Sequence, residues 1–412
     1  MRTLIYSCLL VYFSFYLFEG PVRYGLNAIG ADFLIFIRDI VLIIPLILSF
    51  LINRHDGNKF HSAFYIFGFI IFFHGLISYL NIGDTFVIVY CIKMLMTMLV
   101  GAVLAEYIMS PPRYVVKVVL VLWIITFFGV AIDKYEIFSY PWTGLETTIG
   151  DTQVDISRDW EITGEDKRAG GLMRSSISVA VVTPLLALLL IFNIPSLAMR
   201  LSIMLMTFMV VYWSTQKASI LAFLLVCAVI LTAYKRPSVF LKIGITIAFL
   251  LMVLLPVILP QFIMPNGEGV FSMASFYMRV EDMWPKAWLI IEQRGIFPFG
   301  IGLGGIGGAQ RFYSPDDFNA ADNMFVLLYA FFGILSFLYM GWLWLKCMQV
   351  NNQAAPAVIN ALSIILFIIF YGIALSMIED QMASLFLGAA ASYLAGSLKK
   401  DDSKNRLKSD AS

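Results

Sequence analysis

The sequence predicts an all-α polytopic membrane protein, and three observations carry that prediction. Its 412 residues are 60% hydrophobic and only 13% charged, whereas soluble domains are about half apolar and a quarter charged. The apolar residues gather into runs long enough to cross a bilayer, which takes roughly 20 residues of helix. Two long polar stretches, 133–172 and 263–320, interrupt those runs and fall on the same side of the membrane.

About twelve transmembrane helices follow. The first run, 4–18, ends in Glu19-Gly20-Pro21 without a small-x-small cleavage pattern, so it is expected to be retained. Segments 33–52, 61–80, 85–108 and 115–132 precede the first long loop. Segments 173–192, 199–214, 217–234 and 239–262 lie between the two loops, and 321–346, 356–378 and 381–397 follow the second. No soluble domain or internal repeat is evident. The chain, 1–412, is expected to be one integral membrane domain, with 398–412 a cytoplasmic tail in which Asp401 to Ser412 is expected to be disordered.

Sidedness comes from the distribution of cations. Arg54, Lys59, Arg113, Lys117, Arg200, Lys235, Arg236, Lys242 and the tail residues Lys399, Lys400, Lys404, Arg406 and Lys408 occupy alternate connections. By the positive-inside rule these are cytoplasmic, both termini included, and both long loops are then outside. The first loop is acidic, with Asp133, Glu136, Glu146, Asp151, Asp155, Asp159, Glu161, Glu165 and Asp166.

Cysteine and histidine narrow the chemistry. Cys8, Cys91, Cys227 and Cys347 lie in helices or at a cytoplasmic helix end, so the outer loops must hold their shape by packing. His55, His61 and His74 lie outside both loops, which argues against an outer zinc site or a histidine base. No metal or other cofactor is expected. An outer base would be a carboxylate: Asp322, where the second loop ends, or the Glu379-Asp380 pair between the last two spans.

Within the second loop, residues 276–294 mix aromatics and charges at helical spacing, and Pro285 predicts a kink or restart at Trp284. An interfacial helix is expected, with its Trp and Tyr residues at headgroup level. The glycine-rich run 300–308 fits G-x-G-x-x-G at Gly302, Gly304 and Gly307, but lacks the strand and helix a dinucleotide site needs. Two readings stay open: a turn whose amides approach an anion or sugar, or plain loop flexibility.

The outer cations are Arg158, Arg168 and Arg174 in the first loop and its exit, Lys217 in the turn Ser214-Thr-Gln-Lys-Ala-Ser219, and Arg279, Lys286, Arg294 and Arg311 in the second loop. Guanidinium forks suit phosphate, although for any one of these cations contact with the surface or with lipid headgroups is the more ordinary reading. Arg168, Lys217 and Arg279 stand out because each lies where a loop meets a helix. Arg38, Asp39 and Lys93 lie within spans, where ionisable groups pair with one another or line a lipid-phosphate site.

Four stretches on this outer side resemble the superfamily of O-antigen polymerases and O-antigen ligases. These are Arg168-Ala-Gly-Gly-Leu-Met-Arg-Ser-Ser176, Ser214 to Ser219, Met278-Arg279 through Trp288 with Pro298-Phe-Gly-Ile-Gly302, and Asp322-Asn323 leading to Gly333-Ile334. The likeness covers residues 165–390. Lys217 stands where arginine is usual, which loses bidentate geometry. Asp322 stands where the family commonly has the histidine that ligases are tied to, which favours the polymerase branch.

The resemblance implies a GT-C-like membrane glycosyltransferase at the outer face of a bacterial inner membrane. Its donor would be a growing glycan on undecaprenyl pyrophosphate, and its acceptor a hydroxyl of the next lipid-linked repeat unit. It implies Asp322, Arg279, Lys217 and Arg168 as catalytic residues. Arg158, Arg174, Arg38, Lys93, Arg294, Arg311, Asn323, Glu379 and Asp380 would contact substrate. Membrane lipid, a chain-length regulator and a flippase are the expected partners, and nucleic acid is not. The alternatives are an O-antigen ligase and a transporter or flippase of lipid-linked glycans. A flippase would place its cations in the membrane core rather than in outer loops.

Overall fold

The computed structural model describes the backbone of residues 1–52, 58–149, 152–155, 167–233, 236–261, 273–352 and 354–409, with side chains except at 52–66, 147–155 and 398–409. Its helices, in chain order, are α1 (Arg2–Leu17), α2 (Glu19–Ala28), α3 (Ile37–Ile52), α4 (Asn58–Ile82), α5 (Thr85–Val103), α6 (Ala105–Met109) and α7 (Arg113–Lys134). A short antiparallel hairpin, β1 (Glu146–Ile149) and β2 (Thr152–Asp155), lies in the first long loop. Then come α8 (Ser176–Asn193), α9 (Leu197–Trp213), α10 (Lys217–Thr232), α11 (Pro237–Ile258), α12 (Ala274–Met278), α13 (Trp284–Arg294), α14 (Met324–Phe332), α15 (Leu335–Met348), α16 (Pro356–Tyr371) and α17 (Gln381–Ser409).

Each predicted apolar segment contains a helix, but α16 ends at Tyr371, short of the predicted end of its segment at 378. Among the described residues, five helical stretches are long and apolar enough to cross a membrane, or six if the bent pair α1–α2 is one span. This is a helical membrane protein. α17 runs on to Ser409, so the backbone of the predicted disordered tail is helical up to that residue. The tail's Lys and Arg residues are good helix formers, which composition-based reasoning underweighted.

The chain forms two compact units. The first comprises residues 1–55 and 103–231. α8 sits at its centre, with Val179 to Ile191 buried on every side and α7 and α9 packed against it. α1 packs on α3 and α7, with its Ile5, Tyr12 and Leu17 buried, and α2 turns away from α1 by 80°. The connections predicted to be outside gather at one end. Gly20 N–H donates to Leu172 O (3.0 Å) and Ala169 N–H to Trp213 O (3.3 Å).

The second unit comprises residues 56–102 and 232–412. α16 is buried on all faces between α11 and α17. α5 and α17 approach closely through two glycines: a Cβ on Gly101 would strike Leu385 O, and one on Gly388 would strike Met98 O. Connections on the predicted cytoplasmic side meet at one end, where Lys242 Nζ donates to Val350 O (2.6 Å) and Ser238 Oγ to Asn352 O (2.8 Å).

Two expectations need correction here. Segment 321–346 is not one helix, because Gly333 (φ +55°) separates α14 from α15. Pro298 O receives Ile334 N–H there (2.8 Å) and leaves no room for a side chain at Gly333. The loop helix is also not simply laid on a lipid surface. Trp284 is fully buried, with Val280, Ala287, Ile290 and Ile291, and Trp288 Nε1 donates to Pro256 O (3.0 Å). A tryptophan signals an amphipathic surface, but not whether lipid or protein covers it. The restart expected at Pro285 is present, since α13 begins at Trp284 with Pro285 in its first turn.

Candidate functional site

In the second unit, three loop segments converge on a charged constellation. The first is a π-helical turn, Arg279–Met283, between α12 and α13. Such turns widen a helix and recur at functional sites. This one presents Arg279, whose Nη2 lies 2.9 Å from Asp322 Oδ2 while Nη1 donates to Ser275 O (2.7 Å).

The second segment is 319–323, ahead of α14. Ala321 and Asp322 both have left-handed backbones, at φ +62° and +40°. Two consecutive non-glycine residues in that region are held by their surroundings rather than chosen by propensity. Asn319 Nδ2 donates to Met283 O (2.7 Å), its Oδ1 accepts Ala321 N–H (2.8 Å), and Ser376 Oγ donates to Ala320 O (3.0 Å). Asn323 then caps α14, accepting from Phe325 and Val326 N–H and donating to Met252 and Ile373 O. Fully buried, it fixes the helix start beside Asp322.

The third segment is the glycine run. Gly300, Gly302, Gly304 and Gly307 have positive φ, and Ile301, Leu303 and Ile306 between them are fully buried. This overturns plain loop flexibility: the glycines permit a packed, left-handed path. Ser78 Oγ and Asn81 Nδ2 hold it through Leu303 O (2.6 Å) and Ile301 O (2.8 Å). The run's amide does meet an anion, but an internal one, because Gly308 N–H donates to Glu379 Oε1 at 2.6 Å.

Glu379 is thereby drawn into the same constellation. Burial pushes its carboxyl up to about 7, the Gly308 amide and Arg311 oppose that rise, and the negative charge of Asp322 adds to it. Asp322 is likewise raised by burial and held back by Arg279. Two carboxylates with different partners are thus placed together, an arrangement that separates their protonation. Arg311 lies over the Phe318 ring, 4.2 Å from its centroid.

The other expected residues of this unit are placed differently. Arg294 makes an exposed pair with Asp317 (3.0 Å), and Asp380 Oδ1 accepts Ala383 N–H at the start of α17 (3.0 Å). Lys93 lies on α5.

The first unit carries its own cations. Arg168 acts electrostatically on Lys217, the first residue of α10. The stretch around Arg168 is fixed by Asp133, a buried residue at the end of α7 that motif reasoning overlooked. Its Oδ2 accepts Gly170 N–H (2.8 Å) and Gly171 N–H (2.7 Å), and its Oδ1 pairs with Lys167 (3.1 Å). Glu19 is a second missed residue. It pairs with Arg23 (2.7 Å) and Arg38 (3.3 Å) and attracts Arg174. Arg38 also lies 3.7 Å from Asp39 and over the Tyr16 ring. The available signals were the i,i+4 spacing of Glu19 and Arg23 and an acid at a helix end. Arg158 lies outside the described residues.

No protein family, curated protein or solved structure matches this chain.

Proposed function

We propose that the protein is a polysaccharide polymerase, a metal-independent membrane glycosyltransferase of bacterial inner membranes with a GT-C-like arrangement of about twelve spans. It would transfer a growing glycan from undecaprenyl pyrophosphate to a hydroxyl of the next lipid-linked repeat unit. The observation that carries this reading is the Arg279–Asp322 pair beside Glu379 and the packed glycine run. A guanidinium can stabilise a departing pyrophosphate, and a neighbouring carboxylate pair can manage the acceptor proton. Asp322 orients Arg279 in this reading. In the first unit, Arg168 lies in the stretch that Asp133 clamps and acts electrostatically on Lys217, and both cations suit a phosphate ligand.

The glycan profile of a deletion strain tests it. Single-repeat products in place of long chains, restored by the wild type and not by Arg279→Ala, are expected. Complete lipid-linked polymer retained in the inner membrane would instead indicate a ligase. Single repeats trapped on the cytoplasmic side would indicate a flippase.

A further inference from the structure

Resting on the glycosyl-transfer reading, we infer that Glu379, rather than Asp322, is the carboxylate that takes the acceptor proton. Asp322 is already committed, with its Oδ2 on Arg279 Nη2 at 2.9 Å. Glu379 has no cationic ion pair among the described residues, and its Oε1 accepts the Gly308 amide. That bond leaves Oε2 to receive a proton while the amide holds the carboxyl in orientation. The turn carrying Glu379 is itself anchored, since Ser376 Oγ donates to Ala320 O and Glu379 N–H to Ser376 O (2.9 Å). The residue as a whole is partly exposed, which leaves a sugar hydroxyl a way in even though the carboxyl is desolvated enough to be raised.

The step balances. The acceptor hydroxyl forms a bond to the anomeric carbon, its proton passes to Glu379, and the anomeric carbon–oxygen bond breaks. The electron pair leaves with undecaprenyl pyrophosphate, opposite Arg279. The groups facing Glu379 are the Gly308 amide, Arg311, Asp322, and Cys91 and Tyr90 from α5. Burial and Asp322 favour the protonated form of Glu379, so the carboxylate base should be gained as pH rises through about 7.

The test is chain extension by the full-length protein in lipid vesicles supplied with lipid-linked repeat units, measured from pH 5.5 to 9. Wild type should show an acid limb, and Glu379→Gln, which keeps the acceptor for Gly308 N–H, should lose about 100-fold or more in rate. Asp322→Asn removes one of the charges that raise Glu379, so the acid limb of whatever rate remains should lie at lower pH than in the wild type. This second readout does not depend on how Glu379→Gln folds. Glu379→Gln extending at the wild-type rate, or an acid limb in Asp322→Asn that stays at the wild-type pH, would overturn the assignment. Wild type making no polymer at any pH would instead sink the polymerase reading itself.

Discussion

Arg279 and Asp322 meet at 2.9 Å, each delivered by an unusual backbone: a π-turn for the arginine and a left-handed φ of +40° for the aspartate. Neither conformation is selected by local propensity, and each persists because Asn319, Asn323 and Ser376 tie the neighbouring segments together. A geometry maintained against local preference is where function is expected.

Arg279→Ala removes the fork and strips Asp322 of its cation. Chain extension should fall about 100-fold or more if the guanidinium stabilises a leaving group. Arg279→Lys keeps the charge without the planar fork and should recover only part of the rate. Equal rates for wild type and Arg279→Ala in membranes of matched protein content would remove Arg279 from the mechanism.

Asp133 should matter through its oxygens more than through its charge. Asp133→Ala leaves the Gly170 and Gly171 amides without their acceptor, at about 1–3 kcal/mol for each buried group. Asp133→Asn preserves a carbonyl acceptor and should stay much closer to wild type. Thermal unfolding in detergent gives the comparison, and equal losses for the two variants would contradict the clamp.

The close approach of α5 and α17 predicts sharp intolerance at Gly388. A valine there has no space against Met98 O and should cost about 1–3 kcal/mol or more, seen as a lower Tm. Gly396→Ala, on the same helix with nothing within 4 Å, should leave Tm within a degree or two. A Gly388→Val protein as stable as wild type would mean that the two helices do not pack through this glycine.

Gly307→Ala addresses the packed glycine run. Its backbone has φ +84°, and an added Cβ would press on Glu379 Oε1. Both stability and chain extension should fall, the latter by about tenfold or more if Glu379 must stay oriented. Unchanged extension would show that the run serves packing alone.

Much of the helical layout was legible, because apolar runs of spanning length leave little choice but helix. Lys242 beside Val350 and Gly20 beside Leu172 are contacts between connections of one predicted side within a unit, while the sidedness itself rests on the charge pattern. The break at Gly333 was not legible, since its cause is Pro298 O, far away in sequence. Asp322 and Glu379 were each visible as candidate bases. That one is tied to Arg279 and the other to Gly308 depends on tertiary contacts that no spacing encodes. Asp133 and Glu19 were missed because a carboxylate that holds backbone amides or buried arginines has no motif of its own.

The central claim is best tested by reconstituting the purified protein in vesicles with lipid-linked repeat units and following both products. The polymerase account predicts a ladder of lengthening lipid-linked glycans with stoichiometric release of undecaprenyl pyrophosphate, and loss of both with Arg279→Ala. Repeat units that stay single, with no pyrophosphate lipid released or with units merely moved between leaflets, would contradict it.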